Sequence, residues 1–146
     1  MKIRRGYKFR AYPTETQKAY LERVFGVCRY VYNWALEQRL VEIKEQKSFT
    51  EWKDLSKELT KLRHSTDWIK DVHVCAEQQK LIDLQNAVTR MFGSWKEKKK
   101  AQLRFRSRKD SKQSFRLSGP TVVHLDRKVW QFRLPKLKKD ESLLET

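Results

Sequence analysis

Apolar and charged positions alternate from the first residues of the chain. Ile3, Tyr7, Phe9 and Ala11 interleave with Arg4, Lys8 and Arg10, the period of two that marks a half-buried strand. Pro13 has no N–H to give a ladder and ends that strand. Thr14 and Gln17 fit a capping box, in which hydroxyl and amide satisfy orphan donors of a new helix. The period then lengthens to 3.6. Beyond Gly26, which reads as a break between two helices, Val24, Val27, Cys28, Val31, Trp34 and Ala35 share one face, and Tyr32, Leu36, Leu40 and Ile43 share another. A helix apolar on two faces lies between neighbours. Arg29, Asn33 and Glu37 remain as a narrow polar line, read either as an internal ladder or as a reach toward a nucleic-acid backbone.

After a break at Gln46-Lys47-Ser48, Trp52, Leu55, Leu59 and Leu62 form a helical stripe with Thr50 as N-cap, and Glu51, Lys53, Asp54, Lys57, Glu58 and Lys61 make a solvated face. Ser65-Thr66-Asp67 marks a turn before Trp68, Ile69 and Val72. From about Cys75, Leu81, Leu84, Val88, Met91, Phe92 and Trp95 line a core-facing helix that Gly93 weakens without breaking. The period then returns to two: Phe115 and Leu117, a turn at Gly119-Pro120, Val123 and Leu125, a hairpin loop at Asp126-Arg127-Lys128, and Trp130, Phe132 and Leu134. Late strands need a cover, and the strand at 3–11 is the candidate. The expectation is an α+β chain. Residues 1–13 and 112–146 form a small antiparallel β-unit from both chain ends, with 14–111 as a helical insertion.

Charge sharpens this picture. Lys plus Arg number 34 against 18 Asp plus Glu, a net +16 that falls unevenly along the chain. Lys96, Lys98, Lys99, Lys100, Arg104, Arg106, Arg108, Lys109, Lys112 and Arg116 face only Glu97 and Asp110, with Trp95, Phe105 and Phe115 interleaved. Such a run releases counterions from a polyanion, and its rings can stack on bases. An anionic membrane surface competes, but no long hydrophobic face accompanies the cations. The many aromatics (five Trp, five Tyr, seven Phe) argue for a packed chain over a disordered one. No apolar run reaches membrane-spanning length and no signal-peptide core precedes the first strand, so a soluble, cytoplasmic protein is expected, bacterial or archaeal, with nucleoid association open.

The segment Tyr12-Pro13-Thr14, Gln17, Leu21, Gly26, the run Arg29-Tyr30-Val31-Tyr32-Asn33 and Leu36 resemble the amino-terminal opening of the TnpB/OrfB proteins of bacterial insertion sequences, relatives of the type V CRISPR effectors. Arg104-Phe105-Arg106-Ser107-Arg108-Lys109, Gln113-Ser114-Phe115-Arg116 and Leu134-Pro135-Lys136-Leu137 follow in the family's order. Ala101-Gln102-Leu103 stands where the family often has Gly and Pro, and Lys138-Lys139 where it has Gly. The resemblance implies an oligonucleotide-binding-like β-barrel, the wedge, split by a helical recognition lobe. It also implies a RuvC-like nuclease and a zinc ribbon beyond the stretch seen here.

The candidate chemistry is therefore binding. No CxxC pair is present, His73-x-Cys75 with distant His64 and His124 is too little for a metal, and Asp67 and Asp71 read as a cap and a surface acid. Cys28 and Cys75 read as buried reduced thiols, and Cys28 lacks a nearby His. No Gly-rich phosphate loop appears. No cofactor, no metal and no catalysis are expected. Three readings follow. The first is a nucleic-acid-binding module, for RNA, DNA or both, equivalent to the front of a TnpB-like protein and truncated before the nuclease. Arg4, Lys8, Arg10, Lys98, Lys99, Arg104, Arg106, Arg108 and Lys109 would grip phosphates; Arg29, Tyr30 and Asn33 would read bases; Lys96, Lys100, Phe105 and Arg116 complete the candidate set. The second is a stand-alone helix-turn-helix regulator with Gly26 in the turn. The third is one half of a split nuclease that pairs with a separately encoded domain.

Overall fold

The computed structural model describes residues 1–119, 124–126, 131–136 and 143–145. Helices α1 (Glu15–Lys44), α2 (Trp52–Ser65) and α3 (Val74–Lys96) come first, with a 3-10 helix at Asp67–Asp71 between the last two. Strands β1 (His124–Asp126), β2 (Gln131–Arg133) and β3 (Leu143–Glu145) follow. The chain divides into two compact units, Met1–Leu21 with Gly119–Thr146, and Glu22–Ser118.

The predicted capping box opens α1. Thr14 N–H donates to Gln17 Oε1 at 2.8 Å and Gln17 N–H to Thr14 Oγ1 at 3.4 Å, so both groups satisfy donors that a helix start leaves bare. The helix then runs 30 residues without a break, straight through Gly26. The expected division at Gly26 is corrected. A glycine costs a helix roughly 1 kcal/mol, and here the burial of two apolar faces outweighs it. Val24, Val27, Cys28, Val31 and Ala35 are buried along one face, Tyr32 and Leu36 along the other.

Thr50 is not the cap of α2. Glu51 holds that position with no side-chain bond. Thr50 turns back to α1 instead, its N–H donating to Glu42 Oε1 at 3.0 Å and its hydroxyl to the same oxygen. Buried Arg39 completes the knot, donating to Glu42 Oε2 at 2.7 Å and to the Thr50 carbonyl at 2.8 Å. Burial alone would raise the Glu42 pKa, but the hydrogen bonds from Thr50 and Arg39 outweigh it and hold the carboxyl below its ordinary value.

The core of the larger unit adds Leu55 and Leu59 from α2, Ile69 and Val72 from the link, and Ala76, Leu81, Leu84, Val88 and Met91 from α3. The fully buried Glu77 is ion-paired to Arg63. His73 caps α3, its Nδ1 accepting from Cys75 N–H at 3.2 Å. Cys28 lies against that helix start, its Sγ 3.9 Å from the Ala76 carbonyl. Burial pushes its thiol up to about 12, leaving almost no thiolate at neutral pH. Among the described residues, no group of three or more His, Cys, Asp and Glu could hold a metal ion. Nor is any described helix long and apolar enough to cross a membrane.

In the smaller unit, β1, β2 and β3 pair antiparallel in that order, with Leu125 opposite Phe132 and Phe132 opposite Leu144. Tyr20 donates its hydroxyl to the Pro135 carbonyl at 2.7 Å, beside buried Leu134. The expectation of an α+β fold with a barrel-like unit from both chain ends is corrected. The described chain is predominantly helical, and its strands are three residues each. Residues 1–11 carry no regular secondary structure, and Phe115 and Leu117 lie in no strand. Alternation defines which residues would share a face, but here Ile3, Tyr7 and Phe9 are exposed and belong to no strand. The expected features at Pro120, Val123, Arg127-Lys128, Trp130, Leu137 and Lys138-Lys139 lie outside the described residues.

Candidate nucleic-acid interface

The polar line of α1 faces the basic segment. Asn33 accepts from Arg106 N–H at 2.7 Å through Oδ1 and donates to the Arg106 carbonyl at 3.0 Å through Nδ2, as a neighbouring strand would. One turn earlier, Arg29 donates to Gln113 Oε1 at 3.4 Å. The other end of the Gln113 amide donates to three carbonyls, Ser107 at 3.1 Å and Arg108 and Asp110 at 3.2 Å each. Inside that loop, Ser107 N–H donates to Asp110 Oδ2 at 2.8 Å.

Further anchors continue along the segment. Trp95 Nε1 donates to the Ala101 carbonyl at 2.9 Å. The Arg106 guanidinium lies 4.9 Å from the centre of the Tyr32 ring. Phe115 packs edge-on against Phe25 at 5.7 Å, and Arg116 is ion-paired to Asp83. Ser118 N–H donates to Cys75 Sγ at 3.1 Å. Most of these anchors are neutral. Backbone position is thus fixed by amides and rings, while the cationic heads are left over.

Lys96, Lys98, Lys100, Arg104, Arg108, Lys109 and Lys112 are exposed and form no ion pair among the described residues. Lys99 pairs with Glu97 at 2.6 Å, an exposed contact that gives way readily to a phosphate. Clefts flank the pinned segment. One of about 500 Å3 is lined by Arg29, Tyr32, Arg90, Arg106 and Lys112 among others. A second of about 410 Å3 shares Arg90 and Arg106 and adds Arg104 and Phe105. A third of about 560 Å3 brings Arg29 and Asn33 beside Tyr30, Trp34, Trp68 and Phe105.

The structure therefore brings Arg29, Tyr30 and Asn33 together with Phe105 and Arg106. Asn33, expected to read bases, has both amide atoms on the Arg106 backbone, so it holds the segment in place. Arg116 is likewise occupied by Asp83. Tyr30 meets Trp68 edge-on at 4.9 Å, with both rings partly exposed. Arg4, Lys8 and Arg10 belong to the other unit, where they are exposed. The sequence reading missed Arg90 and Trp68. No spacing in the sequence singles out Arg90, and Trp68 stands in the sequence only as the first of three apolar residues after the turn at 65–67. Only the exposure of so large a ring beside another marks it out.

Comparison with known proteins fits this geometry. Residues 1–48 match a family model described as a helix-turn-helix domain, that of the OrfB proteins, and the matched stretch holds the N-terminal segment and all of α1. A Streptomyces pristinaespiralis protein named "Putative RNA-guided DNA endonuclease" is 34% identical over 122 residues, 77% of this chain and 27% of the relative. A protein of the same description from Escherichia coli (strain K12), InsQ, is 30% identical over 139 residues, 94% of this chain and 33% of the relative. The chain thus spans between a quarter and a third of the length of these curated relatives.

Proposed function

We propose that this chain, which carries the amino-terminal region of the TnpB/OrfB insertion-sequence family, is a nucleic-acid-binding module that grips phosphates with the pinned segment 101–118 and performs no catalysis itself. The observation that supports this most is the division of labour along that segment. Neutral side chains, chiefly Asn33 and Gln113, hold the backbone, and Arg104, Arg108, Lys109 and Lys112 have no acidic partner among the described residues. Cations carried on a backbone that is already fixed meet a polyanion without the cost of ordering that backbone. The names of the relatives make both RNA and DNA candidates. Insertion of a recognition helix into a groove finds little support in α1, which is buried on two faces.

The test is the salt dependence of binding to labelled RNA and duplex DNA, followed by fluorescence anisotropy. Affinity should fall steeply between low and high salt, with a log–log slope of roughly 0.7–0.9 per phosphate contact. Binding that stayed flat across that range would refute the proposal.

A further inference from the structure

We infer that the groove between the start of α2 and the end of α3 takes an unpaired nucleobase, so that the module engages single-stranded nucleic acid in addition to phosphates. This rests on the nucleic-acid reading above and names part of its ligand. The groove measures about 830 Å3, in the range that holds a small ligand (roughly 300–1000 Å3), and its walls carry Phe49, Trp52 and Phe92. Phe49 and Trp52 are each more than a third exposed, at 40% and 38%. Phe92 lies 5.7 Å from Phe49 and 5.1 Å from Trp95, and the Arg39 guanidinium, also in the lining, sits 5.3 Å from the centre of the Phe49 ring.

Gly93 supplies the second observation. It sits in the last turns of α3 and lines the groove. A glycine inside a helix is disfavoured by about 1 kcal/mol against alanine, and close packing is the usual compensation. None exists here, because a Cβ at Gly93 would meet no atom within 4 Å. The residue leaves space open.

Charge identifies the occupant. Lys53 and Lys96 stand at the rim without ion pairs among the described residues, against one acid, Glu51, in the lining. Lys98 and Lys100 follow directly in sequence. Aromatic faces rimmed by cations suit a base flanked by phosphates, whereas an apolar side chain would gain nothing from the lysines and a second copy of this chain, at net +16, would be repelled by them. Duplex bases keep their faces stacked on one another, so the site selects unpaired ones.

The experiment uses the full chain with a short oligothymidylate and a duplex of equal length as probes, each titrated at several salt concentrations. Gly93→Leu puts a side chain into the groove from a position where a Cβ meets no atom within 4 Å, and Gly93→Ala reports the helix effect alone. Gly93→Leu should bind the single strand roughly tenfold more weakly. Its salt slope should be unchanged, since stacking releases no counterions, and duplex affinity should match the wild type. Trp52→Ala should shift single-strand affinity in the same direction, which keeps the test alive if Gly93→Leu fails to fold by circular dichroism. Equal loss for both probes, a reduced salt slope, or unchanged single-strand binding overturns the assignment. So does a change confined to sedimentation behaviour, which would give the groove to a second copy of the chain. If the wild type binds neither probe, the nucleic-acid reading itself fails; if it binds both steeply and Gly93→Leu does too, only the groove assignment falls.

Discussion

Lys8-Phe9-Arg10 and Arg104-Phe105-Arg106 are near-copies in sequence. The first lies in a stretch without regular secondary structure, where Ile3, Tyr7 and Phe9 are exposed and the rings of Tyr7 and Phe9 stack at 6.4 Å. The second is held by Asn33 through two hydrogen bonds, and its Arg106 rests on Tyr32. Phe105 is exposed like Phe9. The two differ in setting: the first lies outside regular secondary structure in the smaller unit, and the second is clamped to α1 by a neutral side chain that satisfies the Arg106 amide and carbonyl.

The largest effect should come from removing cations on the pinned side. Arg104→Ala, Arg108→Ala, Lys109→Ala and Lys112→Ala together should lower the log–log salt slope by about three, at roughly 0.7–0.9 per contact, and cut affinity at moderate salt by on the order of a thousandfold. Arg4→Ala, Lys8→Ala and Arg10→Ala should produce a smaller fall in anisotropy-measured affinity per charge removed, because none of these residues lines the clefts beside the pinned segment. Equal losses per charge would erase the distinction between the two stretches.

Asn33→Ala should release the pinned stretch. Two hydrogen bonds of about 0.5–1.5 kcal/mol each are lost, so local opening, and with it trypsin cleavage after Arg104, Arg106 and Arg108, should rise roughly 5- to 100-fold. Cleavage after Arg4 and Arg10 should not change. Because the clamp is neutral, raising salt should weaken nucleic-acid binding and leave the protection of 104–109 intact in the wild type. Salt-induced cleavage there would show that the ion pair of Arg116 with Asp83, and not Asn33, holds the segment.

Much of this organisation was legible where it is local. The capping box of Thr14 and Gln17 spans four residues and needs no tertiary partner, and the two buried faces of α1 follow from spacing alone. The cationic excess of 96–116 is equally plain. Its anchoring is not, since Asn33 and Arg106 stand 73 positions apart and Arg29 and Gln113 stand 84 apart. Periodicity carries no information at that separation. The alternation at Phe115 and Leu117 misled for a related reason: Phe115 finds Phe25 on α1, a contact that needs no sheet. Gly26 misled because its local penalty is visible in the sequence, whereas the burial that outweighs it appears only once α1 has neighbours.

That weighing has a test of its own. A Cβ at Gly26 meets only Arg29 Nη2, at an ordinary 3.9 Å. Gly26→Ala should therefore raise stability by about 0.5–1 kcal/mol in urea unfolding, the helix-propensity gain of alanine over glycine. Arg29 would keep its bond to Gln113, so the pinned segment should be unaffected. A loss of stability would mean that the chain needs a turn at Gly26 and that α1 is not one rod.

The mildest perturbation is acid, and it separates two tethers of the same helix. Glu42 fixes the connection before α2 through Thr50 and Arg39, and its folded pKa lies below its ordinary value. A depressed folded pKa means that the contribution is complete above the unfolded value, about 4.3, and is lost as pH falls through the folded one. The Asn33 clamp contains no titrating group. Amide hydrogen exchange, corrected for its intrinsic pH dependence, should therefore show Thr50 N–H losing protection as pH drops below about 4.3, while Arg106 N–H keeps its own. Glu42→Gln should remove the pH dependence at Thr50, because an amide accepts the hydrogen bond at every pH. If both amides open together on acidification, the two tethers are one cooperative unit, and the Asn33 clamp does not hold the cationic segment independently of the knot at Glu42.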